Sequence, residues 1–251
     1  MRAAVITDIH ANLPALEAVL DAIKSTGTDE IWCLGDTVGY GAQPDQCTEL
    51  VRKNCDVCLA GNHDLAVLGM IDISSFTPSA SEAVLWTREN CSQETLEFLR
   101  PLAPGTQRGE FGLYHASPRD PVWEYVLSTE QAADCFDMQD ERIGLIGHSH
   151  IALFFHEAVP ATNRPRFRTE ADGAKASPGV TLKLDQGRWL INPGSVGQPR
   201  DSDVRAAWLE LDTEAMTARY HRVEYEIGRA AQAILAASLP DHLANRLYAG
   251  R

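Results

Sequence analysis

A chain of 251 residues can bury a sizeable core, and its 44% hydrophobic and 23% charged content is that of a globular protein rather than a disordered one. A net charge of −13 opposes a surface that coats nucleic acid or anionic lipid, while a small nucleotide held through a cation stays open. No stretch approaches the ~20 apolar residues that cross a bilayer, and Asp8 and His10 interrupt the N-terminus too early for a secretory leader, so a cytoplasmic protein outside membranes is expected.

Ala3 to Thr7 is a short apolar run of strand type that ends at Asp8-Ile9-His10. Asn12 is placed to cap a helix whose first turn tolerates Pro14, and Leu13, Leu16, Val19, Leu20 and Ile23 recur at helical spacing before Gly27. Ile31 to Leu34 is a second strand ending at Gly35-Asp36. Strand, helix, strand at this length predicts a βαβ unit with a parallel pair. Pro44 opens another helix, to about Lys53, and Val57 to Ala60 is a third strand running into Gly61-Asn62-His63-Asp64. There Gly61 is expected to permit a sharp turn.

From Ser79 to Arg100 the pattern predicts one helix, with Ser79 and Glu82 spaced as a capping box and Pro101 as the stop. Phe111 to Tyr114 is strand-like and ends at His115. A helix from about Thr129 to Gln139 leads to the strand Ile143 to Ile146, then to Gly147-His148-Ser149-His150 and a further strand at 152–156. Residues 160–179, rich in Pro, Arg, Asp, Gly and Ser, predict a long loop or extended hairpin. Two strands, 180–184 and 188–191, lie across a turn near Gln186-Gly187. The glycine-punctuated loop 192–197, alternating strands 205–211 and 217–223, and helices from about Glu226 complete the chain. Without repeat or linker, residues 1–251 predict one domain, its motif-bearing core at about 1–200 and a C-terminal part at about 201–251 of unassigned role.

Six cysteines stand at 33, 47, 55, 58, 91 and 135. Cys55-x-x-Cys58 has zinc or redox spacing, but no second pair follows it, and buried free thiols in a reducing compartment account for it better.

The chemistry lies in how the strand-like runs end. Five finish in groups able to bind metal: Asp8-x-His10, Asp36, Asn62-His63-Asp64, His115 and His148-x-His150. Any one of these is equally a helix cap, a polar turn or a satisfied histidine. Together they are harder to assign to turns, because sheet pairing gathers the ends of alternating strands at one edge. The i, i+2 spacing of Asp8/His10 and His148/His150 would let each pair point one way from an extended backbone. Carboxylate, imidazole and amide without thiolate suit Mn²⁺, Fe or Zn²⁺ rather than a structural zinc site or a Ca²⁺ cage. The set is too large for one ion, and two ions ~3.5–4 Å apart sharing a carboxylate would use it, which points to phosphoester hydrolysis.

At these residues the chain resembles the calcineurin-like metallophosphoesterase superfamily, and most closely its small bacterial and archaeal phosphodiesterase branch. The blocks are Asp8-x-His10, Gly35-Asp36-x-x-Gly39, Gly61-Asn62-His63-Asp64, His115 and Gly147-His148-Ser149-His150, within residues 1 to about 200. The resemblance implies an α/β fold, a two-sheet β-sandwich flanked by helices in four αββα layers. It implies that Asp8, His10 and His150 hold one metal, that Asp36 bridges, and that Asn62, His115 and His148 complete the second. His63 would assist the leaving oxygen, oriented by Asp64, while a metal-bridging hydroxide attacks. Protein Ser/Thr phosphatases of the superfamily carry Asp-Arg-Gly after the bridging Asp and Glu after the His; here those places read Val38-Gly39-Tyr40-Gly41 and Asp64. Small phosphodiesters or nucleotides are therefore the expected substrates, with a dinucleoside polyphosphate as the alternative. A non-catalytic scaffold, as in the retromer subunit that has lost its catalytic histidine, is disfavoured because His63 and the ligands are retained. Asn12, Arg119 and Arg200 are candidate phosphate contacts, although a cap explains Asn12 and ion pairs would explain the arginines equally.

Overall fold

The computed structural model describes residues 1–158 and 171–251. In the first half short apolar runs bounded by Gly, Pro and Asp alternate with amphipathic helices: β1 (Arg2–Ile6), α1 (Leu13–Lys24), β2 (Glu30–Cys33), α2 (Pro44–Asn54) and β3 (Val57–Cys58). β1, β2 and β3 are parallel neighbours, with Val5 beside Trp32 and Trp32 beside Val57, so the expected βαβ unit is present. Asn12 caps α1 by accepting from the Ala15 amide, and Pro14 sits in its first turn.

The chain continues through α3 (Asn62–Val67), α4 (Pro78–Asn90), α5 (Gln93–Leu99), β4 (Gly105–Arg108), β5 (Phe111–Tyr114), α6 (Thr129–Met138), β6 (Ile143–Leu145), β7 (Leu153–Glu157) and β8 (Ala171–Lys175). It ends with β9 (Thr181–Lys183), β10 (Arg188–Asn192), β11 (Ala206–Asp212), β12 (Thr217–Val223), α7 (Ile227–Ala236), α8 (Asp241–Asn245) and a 3₁₀ turn over Arg246–Tyr248. Two mixed six-stranded sheets result, in the orders β3-β2-β1-β11-β12-β9 and β4-β5-β6-β10-β7-β8.

The sheets pack face to face. Ala3, Val5, Trp32 and Leu34 from one meet Phe111, Leu113, Ile143 and Ile191 from the other in the central core. Ala4 and Ile6, alternate residues of β1, face outward onto Leu13, Leu16 and Val19 of α1. On the far side α6 covers the second sheet through Ala132, Cys135 and Phe136. The four layers expected of the αββα fold are therefore present. Inner strands such as β1 are covered on both faces, which is why they read as unbroken apolar runs.

Two local expectations are corrected. The single helix expected over 79–100 is two, α4 and α5, because Ser92 begins a new one: its hydroxyl accepts from the Thr95 amide while Asp45 binds both its amide and its hydroxyl. Thr77 rather than Ser79 caps α4, accepting from the Ala80 amide. The strands flanking Gln186-Gly187 are not a hairpin; β9 joins β12 in the first sheet and β10 joins β6 and β7 in the second, so the turn carries the chain between layers. Of the loop or hairpin expected at 160–179, residues 160–170 lie outside the described residues, and 171–175 form β8, paired antiparallel with β7. No helix among the described residues is long and apolar enough to cross a membrane.

Candidate active site

Parallel pairing of β1 with β2 and β3, and of β5 with β6 and β10, gives the two sheets a common carboxyl edge. The loops leaving these strands are hydrogen-bonded to one another. The amides of Asp8, His10 and Ala11 donate to the carbonyls of Gly35, Asp36 and Thr37. The Gly147 amide donates to His115, and the loop after β10 ties in through Val196 and Gly197 to Thr7 and Asp8. The seven candidate ligands are all buried.

Five of them, Asp8, His10, Asp36, His148 and His150, have φ between 50° and 62°. The left-handed region costs an L residue ~1–2 kcal/mol, and such outliers concentrate where geometry serves a site. This corrects the extended-backbone expectation for the Asp-x-His and His-x-His pairs. Their side chains converge because the loops turn left-handed after the strands.

Hydrogen bonds fix how each imidazole is presented. A carbonyl only accepts, so a ring nitrogen bonded to one must carry the proton. His10 Nδ1 donates to Val38 O (3.2 Å), His150 Nδ1 to Gln198 O (2.7 Å), His115 Nδ1 to Leu34 O (3.0 Å) and His148 Nε2 to Trp123 O (3.2 Å). The remaining nitrogens are lone pairs, and two of them, Nε2 of His10 and of His150, face each other at 3.1 Å. Burial pushes both rings well below the usual histidine pKa, so neither carries a second proton to bridge that gap. Asp8 Oδ1, 3.5 Å from His150 Nε2, is buried without a hydrogen-bond partner. Lone pairs and an orphaned carboxylate oxygen converging in one buried spot are complementary to a cation, so the residues fit a divalent metal.

Asp36 occupies the middle of the cup. Its Oδ1 accepts from the His63 amide at 2.8 Å, leaving Oδ2 3.5 Å from His10 Nε2 and 3.6 Å from His115 Nε2. Asn62 Oδ1 lies 3.1 Å from His115 Nε2. Ligand atoms of Asp8, His10 and His150 lie within 4.8 Å of one another, as do those of Asp36, His115 and His148. His63 forms a third such group with His10 and Asp36. Burial holds Asp8 up to about 7 and Asp36 well above the carboxylate range, so without a cation the cup avoids charge.

The partner expected for His63 is not Asp64. The Asp64 carboxylate accepts from the amides of Gly61 (2.9 Å), Val38 (3.1 Å) and Thr37 (3.3 Å), fastening the second and third loops together. His63 is positioned by shape instead, with the ring of Tyr40 at 4.3 Å and that of Phe76 at 5.0 Å, and its buried Nδ1 is unpartnered. Gly39 backs it, at φ +88°; a Cβ there would lie 2.5 Å from His63 Nδ1. Gly61 is needed for close approach rather than for a turn: its φ is −93°, and a Cβ would meet Asp36 Oδ1 at 2.1 Å.

The outer candidates separate. Both ends of the Asn12 amide are used inside the protein, on Ala15 and on the Gly197 carbonyl at 2.8 Å. Arg119 is ion-paired with Glu124 and with Asp134 (2.8 Å), the ion-pair alternative, and is not among the residues lining the cleft over the cup. Arg200 lines the cleft over the cup, bonded to Gln198 Oε1 (2.8 Å), with its Nε buried and unpartnered. Asn192, Ser195 and Gln198, not expected from the sequence, brace His148, Asp8 and His150 through the Gly147, Asp8 and Gln198 carbonyls. The Asn-Pro-Gly-Ser loop was their only visible signal. The cysteines are free thiols.

The family model of the calcineurin-like phosphoesterase superfamily domain matches residues 1–214. This chain belongs to that superfamily. The superfamily member resembles the uncharacterized protein MJ0912 of Methanocaldococcus jannaschii, 39% identical over 99% of this chain and 98% of that one. A metallophosphoesterase from Sphaerobacter thermophilus superposes with a TM-score of 0.86 at 37% identity, covering 100% of this chain and 99% of its own. A shorter match, 29% identical over 34% of this chain and 33% of the relative, is to a symmetrical bis(5′-nucleosyl)-tetraphosphatase of Actinobacillus pleuropneumoniae. Membership makes the chain one of a superfamily of metal-dependent phosphoesterases, with His and Asp groups able to bind metal.

Proposed function

We propose that this superfamily member is a two-metal phosphodiesterase acting on small phosphodiesters. The observation that carries the reading is the pair of imidazole lone pairs at 3.1 Å beside the orphaned Asp8 Oδ1. Asp8, His10 and His150 would hold one cation, Asn62, His115 and His148 the other, and Asp36 Oδ2 faces both groups. Bound divalent cations polarise a phosphoryl group, neutralise its charge and acidify water. The chain's own residues do the rest. Arg200 lines the cleft, where its guanidinium would donate to a phosphate oxygen. His63, held neutral by burial, opens on the same cleft and would offer a ring N–H to the departing oxygen. The loop bearing Val38-Gly39-Tyr40 supplies no arginine of the protein-phosphatase type.

The test is hydrolysis of bis(p-nitrophenyl) phosphate with Mn²⁺. His63→Ala should lower kcat by ~10²–10⁴ at unchanged metal content; full activity in the variant refutes its role, and no hydrolysis by wild type with Mn²⁺, Fe²⁺ or Zn²⁺ refutes the function. The match to a bis(5′-nucleosyl)-tetraphosphatase favours a second reading, a dinucleoside polyphosphate hydrolase. Chromatography of products from a dinucleotide panel separates the two.

A further inference from the structure

The cleft, about 140 Å³ with its floor at Asp36, Asn62, His63, His148 and His150, is walled by Tyr40, Phe76, Trp123, Tyr125 and Arg200, with Ser75 and Thr77 flanking Phe76. Phe76 comes from the segment between α3 and α4, and Trp123 and Tyr125 from the segment between β5 and α6. The two segments meet over the site in an edge-to-face pair, Phe76 and Trp123, with ring centroids 5.3 Å apart. Each is also anchored to a histidine of the cup. Phe76 meets His63 edge-on at 5.0 Å, Tyr125 lies 4.1 Å from the His148 ring, and the Trp123 carbonyl accepts from His148 Nε2.

Phe76 also packs against the cluster of Val38, Ala66 and Val67, but core packing does not account for Trp123 and Tyr125. Neither Trp123 nor Tyr125 belongs to any apolar cluster of the described residues, and Tyr125 is 43% exposed. Arg200 is the one permanently charged cation among the described residues lining the cleft. That cation beside a wall of rings matches a phosphate joined to a planar group.

Resting on the proposed hydrolase reading, we propose that Phe76, Trp123 and Tyr125 form an aromatic subsite that selects phosphoesters carrying a planar ring, a nucleoside base or a simple aryl group. The ring packs against these side chains where they line the cleft, and the phosphate sits at Arg200 and the cup.

The test is competition against Mn²⁺-dependent hydrolysis of bis(p-nitrophenyl) phosphate by adenosine 5′-monophosphate, phenyl phosphate and ribose 5-phosphate. At least one ring-bearing competitor should bind about tenfold or more tightly than ribose 5-phosphate, the scale of one stacked base. Adenosine monophosphate ahead of phenyl phosphate identifies a nucleobase, and the reverse order a simple aryl group. Trp123→Leu, and separately Tyr125→Leu at its exposed position, should narrow the preference to under about threefold while leaving ribose 5-phosphate inhibition unchanged. Equal inhibition by all three, or a preference that survives both substitutions, overturns the subsite. Calorimetric titration of the same ligands into Mn²⁺-loaded protein gives the ranking without turnover, so an inactive enzyme would refute the hydrolase reading and leave the subsite measurable.

Discussion

At the scale of single residues, the site works by what is left unpaired. Asp8 Oδ1, His63 Nδ1 and Arg200 Nε are buried without partners in a protein whose neighbouring loops are otherwise densely hydrogen-bonded. Each such atom costs ~1–3 kcal/mol, and all three surround the cup and its cleft. Because burial holds Asp8 up to about 7, a cation must displace a proton there near neutral pH. Mn²⁺ affinity should therefore rise as pH increases through about 6 to 8, with protons released on binding; calorimetry in buffers of different ionisation enthalpy checks this, and a flat profile contradicts it. Asp64 answers to a different role from the one its position suggests. Asp64→Ala strands three amides and should cost about 2–4 kcal/mol in denaturant unfolding, whereas an orienting role would lower kcat and leave stability intact. The ligands were legible in the sequence because side-chain type and strand-end position reveal them. The Asp64 contacts were not, since nothing in Asn-His-Asp indicates that the carboxylate turns back to Thr37 and Val38.

At the scale of elements, short parallel strands deliver the residues and glycines set their spacing. Gly39→Ala would both strain a φ of +88° and push His63, so kcat should fall at least about tenfold with metal content unchanged; kinetics alongside metal analysis separates that from loss of the site. Strands whose two faces are covered, such as β1 and β2, were legible as apolar runs. α3 was not, because it runs for only six residues after Gly61 and no periodicity can develop over them. The break between α4 and α5 was missed for another reason: Ser92 is an unremarkable residue until Asp45, distant in sequence, binds it. Ser92→Ala should cost about 1 kcal/mol, read as a lowered unfolding midpoint at unchanged catalysis.

For the whole molecule, two sheets share one carboxyl edge, and the buried polar loops there are stabilised only in part by one another. Cations that bind the folded state alone should stabilise it by about 2.7 kcal/mol at a hundredfold excess over Kd; a chelated protein whose Tm does not rise with added Mn²⁺ contradicts this. The alternation of strand and helix made the layers legible, but which sheet β9 and β10 enter was not, since a turn at Gln186-Gly187 suits a hairpin as well as a crossing between layers.

The central claim is that Asp36 joins two cation sites in one cup. Metal analysis by inductively coupled plasma mass spectrometry, on protein reconstituted with Mn²⁺ and freed of excess, tests it most directly. The account predicts two ions per wild-type chain and fewer than one in Asp36→Ala; a wild type that holds none, or an Asp36→Ala variant that keeps both, would contradict it.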